Sequence, residues 1–225
     1  MRKTFEIEIQ QLKDDLLLLG SMVEQQVMDA VEALKKRDLE AARRVYTTDA
    51  RINEKRFSIE NQVMIHIATQ QPMAHDLRLL ASILEIAGEM ERMGDYAKGI
   101  ATVNLRMGDE PLLKPLIDIP RMAQIASSML HRALTAFVNE DAETAKVIPS
   151  EDDEVDALYD QVYRELMTFV MKDPKTMDRA NYLLWAAHNL ERMADRVTNI
   201  CERTIFIVTG EIKEIDSNDN EGTRV

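Results

Sequence analysis

The sequence predicts an all-α protein: two tandem, internally duplicated three-helix bundles made of six long helices. Three observations predict it. Apolar residues recur at steps of three and four through most of the chain, the spacing of a helix with one buried face. Only 7 Gly and 6 Pro occur in 225 residues, so there are few places to turn. And the chain repeats itself. Ala30, Ala33, Asp38 and Ala42 match Ala133, Ala136, Asp141 and Ala145 at an offset of 103, as do Asp49 and Asn53 with Asp152 and Asp156. By the third helix of each half the offset is 100, which places three extra residues near Gln71-Pro72.

The first helix follows from the stripe Phe5, Ile9, Leu12, Leu16, Leu19, Val23, Val27, Ala30 and Leu34. Lys35-Lys36-Arg37 favours its C-terminus, where cations complement the helix dipole. Asp38 is the expected N-cap of the second helix, which runs from about Asp38 to Gln70. Gln71-Pro72 stops it, because the residue before a proline is pushed out of helical geometry. The third helix reaches about Arg106.

Three of the six prolines (Pro111, Pro115 and Pro120) then fall within RMGDEPLLKPLIDIP, the clearest linker. A fourth helix spans about Pro120 to Asn139 and a fifth about Asp141 to Lys172, broken or kinked at Pro149. Ser150, with Asp153 near the N3 position, is the expected cap of its second half. Asp173-Pro174 is the next stop, and the sixth helix covers about Lys175 to Thr209. The division is a first bundle over 1–107, a linker over 108–119, a second bundle over 120–210 and a polar, frayed tail over 211–225.

Composition narrows the function. Apolar residues are 45% of the chain, enough for a sizeable core. The net charge is −12, whereas a nucleic-acid binder needs a basic face to displace counterions. The same sign opposes adsorption to an anionic membrane. Cys201 is the only cysteine, so no intramolecular disulfide forms and a reducing compartment fits. The start, MRKTFEIEIQ, lacks a signal peptide's apolar stretch, and no run approaches the ~18 apolar residues of a membrane span. The expectation is a soluble, cytoplasmic protein.

The chemistry sits in a repeated motif. Glu91-Arg92-Met93-Gly94-Asp95 returns as Glu191-Arg192-Met193-Ala194-Asp195. Carboxylates at i and i+4 share one helical face. The middle helix of each half offers a second such pair, Asp49…Asn53 and Asp152…Asp156. If middle and last helices lie side by side, Asp49 and Asn53 face Glu91 and Asp95, while Asp152 and Asp156 face Glu191 and Asp195. Two carboxylates ~4 Å apart repel by about 4 kcal/mol at an effective dielectric of ~20, so cations, protons or arginines must offset them. Carboxylate oxygens suit iron, manganese, magnesium, calcium or zinc. The competing reading is a solvated helix face in which Arg92 and Arg192 neutralise Glu91 and Glu191 at little energetic gain.

His188, Asn199 and Glu202 can share the face of the second acid pair, where the first half has Gly88, Gly99 and Thr102. The second site is therefore the richer in ligands. His66, His75 and His131 have no such setting and read as structural. The methionines read as core filler. No Glu-x-x-His pair of a di-iron oxidase, no glycine loop for phosphate and no Gly-x-Ser-x-Gly elbow is present. A carboxylate-rich metal-dependent hydrolase remains the alternative to a non-enzymatic role; it would rely on His188 as its acid–base group.

The segment Gln71-Pro72-Met73-Ala74-His75-Asp76-Leu77-Arg78, followed by Glu91-Arg92-Met93-Gly94-Asp95, resembles the PhoU family. The second half carries a similar element, Leu190-Glu191-Arg192-Met193-Ala194-Asp195 with Asn199-Ile200, and the resemblance covers roughly residues 4 to 210. It implies two three-helix bundles and a cytoplasmic regulator of phosphate uptake and phosphate-starvation signalling. It implies action with a phosphate-specific ABC transporter, at its cytoplasmic ATPase, and with a sensor histidine kinase. It further implies multinuclear iron or zinc at the E/D-x-x-x-D motifs, manganese or magnesium being alternatives, and a homodimer. The ligands it implies are Asp49, Glu91 and Asp95, then Asp152, Asp156, Glu191 and Asp195. Asn53 departs from the acidic pattern, so the first site loses one charge.

Overall fold

The structure, a computed structural model, describes residues 2–215, with side chains from residue 5 onward. Its helices are α1 (Arg2–Lys36), α2 (Leu39–Gln70), α3 (His75–Met107), α4 (Asp118–Asn139), α5 (Ala142–Val147), α6 (Asp152–Lys172) and α7 (Met177–Thr209). Short 3-10 turns cover Ile148–Glu151 and Pro174–Thr176. Among the described residues there is no strand. Among the described residues no helix is long and apolar enough to cross a membrane.

The predicted stripe of α1 is the heart of the first bundle. Leu12, Leu16, Leu19, Val23, Val27, Ala30 and Leu34 are all buried, while Phe5 and Ile9 pack half-buried at its edge. Fully burying each of these leucines and valines contributes roughly 1.5–3 kcal/mol, which outweighs the poor isolated stability of any one helix. The core continues without a break into the second half. There α1, α3, α4 and α7 pack on one another, while α2 flanks α1 and α3, and α6 flanks α4 and α7.

Both halves turn the first corner by the same device. Arg37 and Glu140, at equivalent places, adopt left-handed backbone (φ 56° and 55°) without being glycine. Asp38 and Asp141 follow as N-caps, accepting hydrogen bonds from the Ala41 and Thr144 amides at 2.8 and 3.0 Å. Side-chain contacts hold each strained residue. Arg37 donates to Asn104 Oδ1 and, at 2.7 Å, to the Gly108 carbonyl. Glu140 accepts from Lys13 Nζ at 3.1 Å and lies 2.8 Å from His75 Nε2.

Three local expectations change. Helix α4 begins at Asp118, inside the anticipated linker; Pro120 then lies in the first turn, where its missing N–H costs nothing. Ser150 does not cap α6. Its hydroxyl turns back to donate to the Val147 carbonyl at 2.7 Å, within the 3-10 turn that breaks the fifth helix at Pro149. The start of the tail is anchored, since the Ile215 amide donates to Glu202 Oε1 at 2.9 Å; the rest of the tail lies outside the described residues.

The widest contact between halves joins α3 to α7. Arg78 Nη2 donates to the Ile207 carbonyl at 3.2 Å, Arg203 meets Glu85 at 3.0 Å, and Asn199 meets Glu89 at 3.1 Å. A Cβ on Gly99 would come within 3.2 Å of Asn189. Rising numbers on α3 thus meet falling numbers on α7. The helices are antiparallel, and by interpolation Gly94 lies across from Ala194. The two repeated motifs pass side by side at the centre of the molecule.

Candidate functional site

Each motif turns its acids outward from the central seam, toward the flanking helix of its own half. In the first half the acids of α3 meet Asp49 of α2. Asp49 is buried, and burial together with Asp49 raises the Asp95 carboxyl above its usual range. Glu91 is raised by burial first, then by Asp95 and Asp49, against the lowering effect of Arg56. Two protein cations sit among them. Lys98 Nζ lies 2.8 Å from Asp49 Oδ2, and Arg56 Nη1 lies 3.7 Å from Glu91. Asn53 also donates to Asp49 Oδ2, at 3.4 Å.

The second half brings together the corresponding acids without those cations. Lys98 corresponds to Thr198 and Arg56 to Tyr159 in the repeat. Asp152, at the start of α6, is pushed up to about 7, by burial first and then by Asp156, Asp195, Glu191 and Asp153. Asp156 and Glu191 are raised as well, burial leading in each case and Asp195 following. Asp152 Oδ1 and Glu191 Oε2 are buried without a hydrogen-bond partner. His188 Nδ1 lies 3.1 Å from Glu191 Oε2, too misaligned for a hydrogen bond, and its ring is exposed. Arg192 pairs with Asp195 at 2.9 Å along the helix, a half-exposed contact of little energetic weight.

Asn199 lines the cavity beside Asp152 and Asp195, but its amide and the Glu202 carboxylate are engaged with other groups. Asn199 donates to Glu89 across the α3–α7 seam, and Glu202 accepts from the Ile215 amide. The other three histidines each stand beside an acid: His66 by Glu8, His75 by Glu140 and His131 by Glu24. Cys201 is buried, and burial drives its thiol up to about 12, which leaves it unreactive.

Does this donor set fit a cation? In the second cluster it does by chemistry: hard oxygens, two of them desolvated and without a hydrogen bond, with repulsion that a divalent ion would relieve. Among the described residues, however, no three His, Cys, Asp or Glu side chains converge closely enough to chelate one ion as they stand. The first cluster already contains an ammonium and a guanidinium.

A family profile described as the PhoU domain matches residues 16–103 and again 119–204, the same two halves. The chain belongs to the PhoU family. It is 36% identical over 219 residues to the phosphate-specific transport system accessory protein PhoU homolog of Clostridium acetobutylicum, covering 97% of this chain and 99% of that one. The Escherichia coli K12 protein of that name, PhoU, is 34% identical over 207 residues, covering 92% and 86%. Two crystal structures share the architecture. The phosphate transport system regulatory protein PhoU from Streptococcus pneumoniae superposes with a TM-score of 0.85 at 32% identity, over 93% of this chain and 99% of that one. PhoU from Pseudomonas aeruginosa gives 0.86 at 33% identity, over 92% and 100%.

Lys98 and Arg56 are the cluster residues that motif reading passed over. The signal was in the repeat alignment: Lys98 opposite Thr198 and Arg56 opposite Tyr159 mark which half supplies its own counter-charge.

Proposed function

We propose that this protein is a cytoplasmic regulator of phosphate uptake and of phosphate-starvation signalling. It acts without catalysis, by binding the phosphate-specific ABC transporter at its ATPase side, its sensor histidine kinase, or both. Such a regulator works by binding two states of a partner with different affinity. Membership of a family whose relatives are named as accessory and regulatory proteins of phosphate transport supports the role. In solution the protein is a homodimer.

The observation that carries the metal part of the reading is the second acidic cluster, where Asp152 Oδ1 and Glu191 Oε2 lie buried with no hydrogen-bond partner. Asp152, Asp156, Glu191 and Asp195 would hold iron or zinc there; bound metal would supply charge neutralisation and tie α6 to α7. The first cluster binds more weakly, because Lys98 and Arg56 already stand among its acids. Bare carboxylates repel phosphate, so any phosphate contact at these sites runs through metal.

Two measurements test this. Tagged protein captured from cells at high and low phosphate should bring down transporter or kinase components; their absence in both conditions would remove the regulatory reading. Elemental analysis after reconstitution should find metal in the wild type and less in Glu191→Gln and Asp195→Asn. Equal, negligible metal in all three would end the ligand assignment. Phosphatase turnover abolished by Asp195→Asn would instead favour the hydrolase.

A further inference from the structure

The outer groove between α1 and α2 encloses about 660 Å³, within the ~300–1000 Å³ of small-ligand sites. Its floor is apolar, from Met22, Val45 and Ile52. One wall carries Arg44 and Arg51, two turns apart on α2 with Thr48 between them. Both arginines are exposed, and neither guanidinium has an ion-pair or hydrogen-bond partner among the described residues. The α1 side contributes Asp29, Glu32 and Gln26, with Lys36 and Asp38 at the groove's end. Glu32 is paired with Lys36, Asp38 accepts from the Ala41 amide, and Gln26 is only 3% exposed. Its amide nitrogen has one long contact, 3.5 Å to the Val45 carbonyl, and its oxygen abuts Gly94 without a partner.

The second half is a control built into the same chain. At the offset of 103, Gln26 becomes Met129, Arg44 becomes Val147 and Arg51 becomes Glu154. Met129 is fully buried. The places of Asp29 and Thr48 hold Arg132 and Glu151, which pair across the equivalent seam. Ile148 and Pro149 of the 3-10 turn are buried there as well. One scaffold therefore closes this seam with methionine and an ion pair, and leaves it open over an under-satisfied amide with two free guanidinia. An under-satisfied buried amide lowers stability, and the sibling position shows that methionine fits the fold.

We propose that the α1–α2 groove binds a nucleotide. The base lies on the Met22–Ile52 floor with its polar edge toward the Gln26 amide, and the phosphates lie between Arg44 and Arg51. Guanidinium pairs suit phosphate oxygens, and a ligand anionic at one end and planar and polar at the other matches the two walls. None of the acids of either cluster lines this groove, so the site is independent of bound metal.

The test is calorimetric titration of the full chain in EDTA with ATP, AMP and inorganic phosphate as separate titrants. ATP or AMP should bind saturably at one site per chain. Replacing Arg44→Val and Arg51→Glu together, the residues of the second half, should weaken that binding about tenfold or more. Gln26→Met should also weaken it, yet raise Tm by about 2–4 °C, because it removes an unsatisfied oxygen. A purely structural Gln26 would lower Tm on replacement, and that result would overturn the proposal. So would silence of folded wild type toward both nucleotides at millimolar concentration, unchanged affinity in the arginine variant, or inorganic phosphate binding as tightly as ATP.

Discussion

Lys98 reaches from α3 to Asp49 on α2, placing an ammonium 2.8 Å from a carboxylate that is otherwise sealed from water. The contact raises the Lys98 ammonium above its usual range, the hydrogen bond to Asp49 leading. The equivalent place on α7 holds Thr198, and there, among the described residues, no lysine reaches the acids, whose one close cation is Arg192 beside Asp195. Lys98 and Arg56 together distinguish the first cluster from the second, where Thr198 and Tyr159 stand in their places.

Lys98→Thr should make the first cluster resemble the second. Asp49 would stay buried with no cation beside it, a loss of about 1–3 kcal/mol in urea unfolding. Adding manganese or zinc should return part of that stability to the variant and less to the wild type. A variant as stable as wild type, with no response to metal, would show that Lys98 is not the counter-charge.

The metal-free protein should lose stability as pH rises from about 4 to 7. Asp152 binds its proton more tightly folded (up to about 7) than in the unfolded chain (~3.9). In that window the native state holds more protons, so raising pH favours unfolding until the group is fully ionised. Its neighbours are Asp153 and Asp156 on α6 and Glu191 and Asp195 on α7, with Arg192 and Arg196 bordering the same cavity. Asp152→Asn should flatten the profile. Urea midpoints in EDTA between pH 5 and 8 check it, and a wild-type profile rising over this range contradicts it.

Arg78 ties the start of α3 to the end of α7. Its guanidinium donates to the Ile207 carbonyl and lies against Gly210, whose left-handed backbone (φ 77°) ends the helix. Arg78→Ala should cost about 1–2 kcal/mol, or roughly 2–8 °C in Tm. Hydrogen exchange should quicken first in the last turn of α7, around Ile207 to Thr209. Faster exchange confined to α1 would contradict this placement.

Cys201 should be silent to a thiol reagent in the native protein at pH 8 and react fully in guanidinium, because its thiol is buried and driven up to about 12. Labelling at intermediate denaturant then reports opening of α7. Rapid native labelling would show that the helix opens locally.

Much of this was legible because helical period and cap chemistry are local. The stripe from Leu12 to Leu34, the cap at Asp38 and the break at Pro149 depend on residues within a turn or two. The pairing of α2 acids with α3 acids, and of α6 acids with α7 acids, followed from the repeat. Contacts between remote residues were not legible. Glu202 had the right spacing for the acidic face but accepts from Ile215, and Asn199 turns to Glu89 across the seam. Lys98 belongs to no motif, and only the approach of α2 brings it to Asp49. Ser150 had a cap's position but not a cap's geometry, because a 3-10 turn replaces the expected helical start.

The antiparallel crossing of α3 and α7, with Gly94 beside Ala194, has the form of a handshake between two like partners. Two separate copies of a single ancestral bundle meeting this way must change every contact twice, since one gene writes both sides. Joining them in one polypeptide ends that constraint. Each arm is then free to differ, as Lys98 in one and Thr198 in the other do.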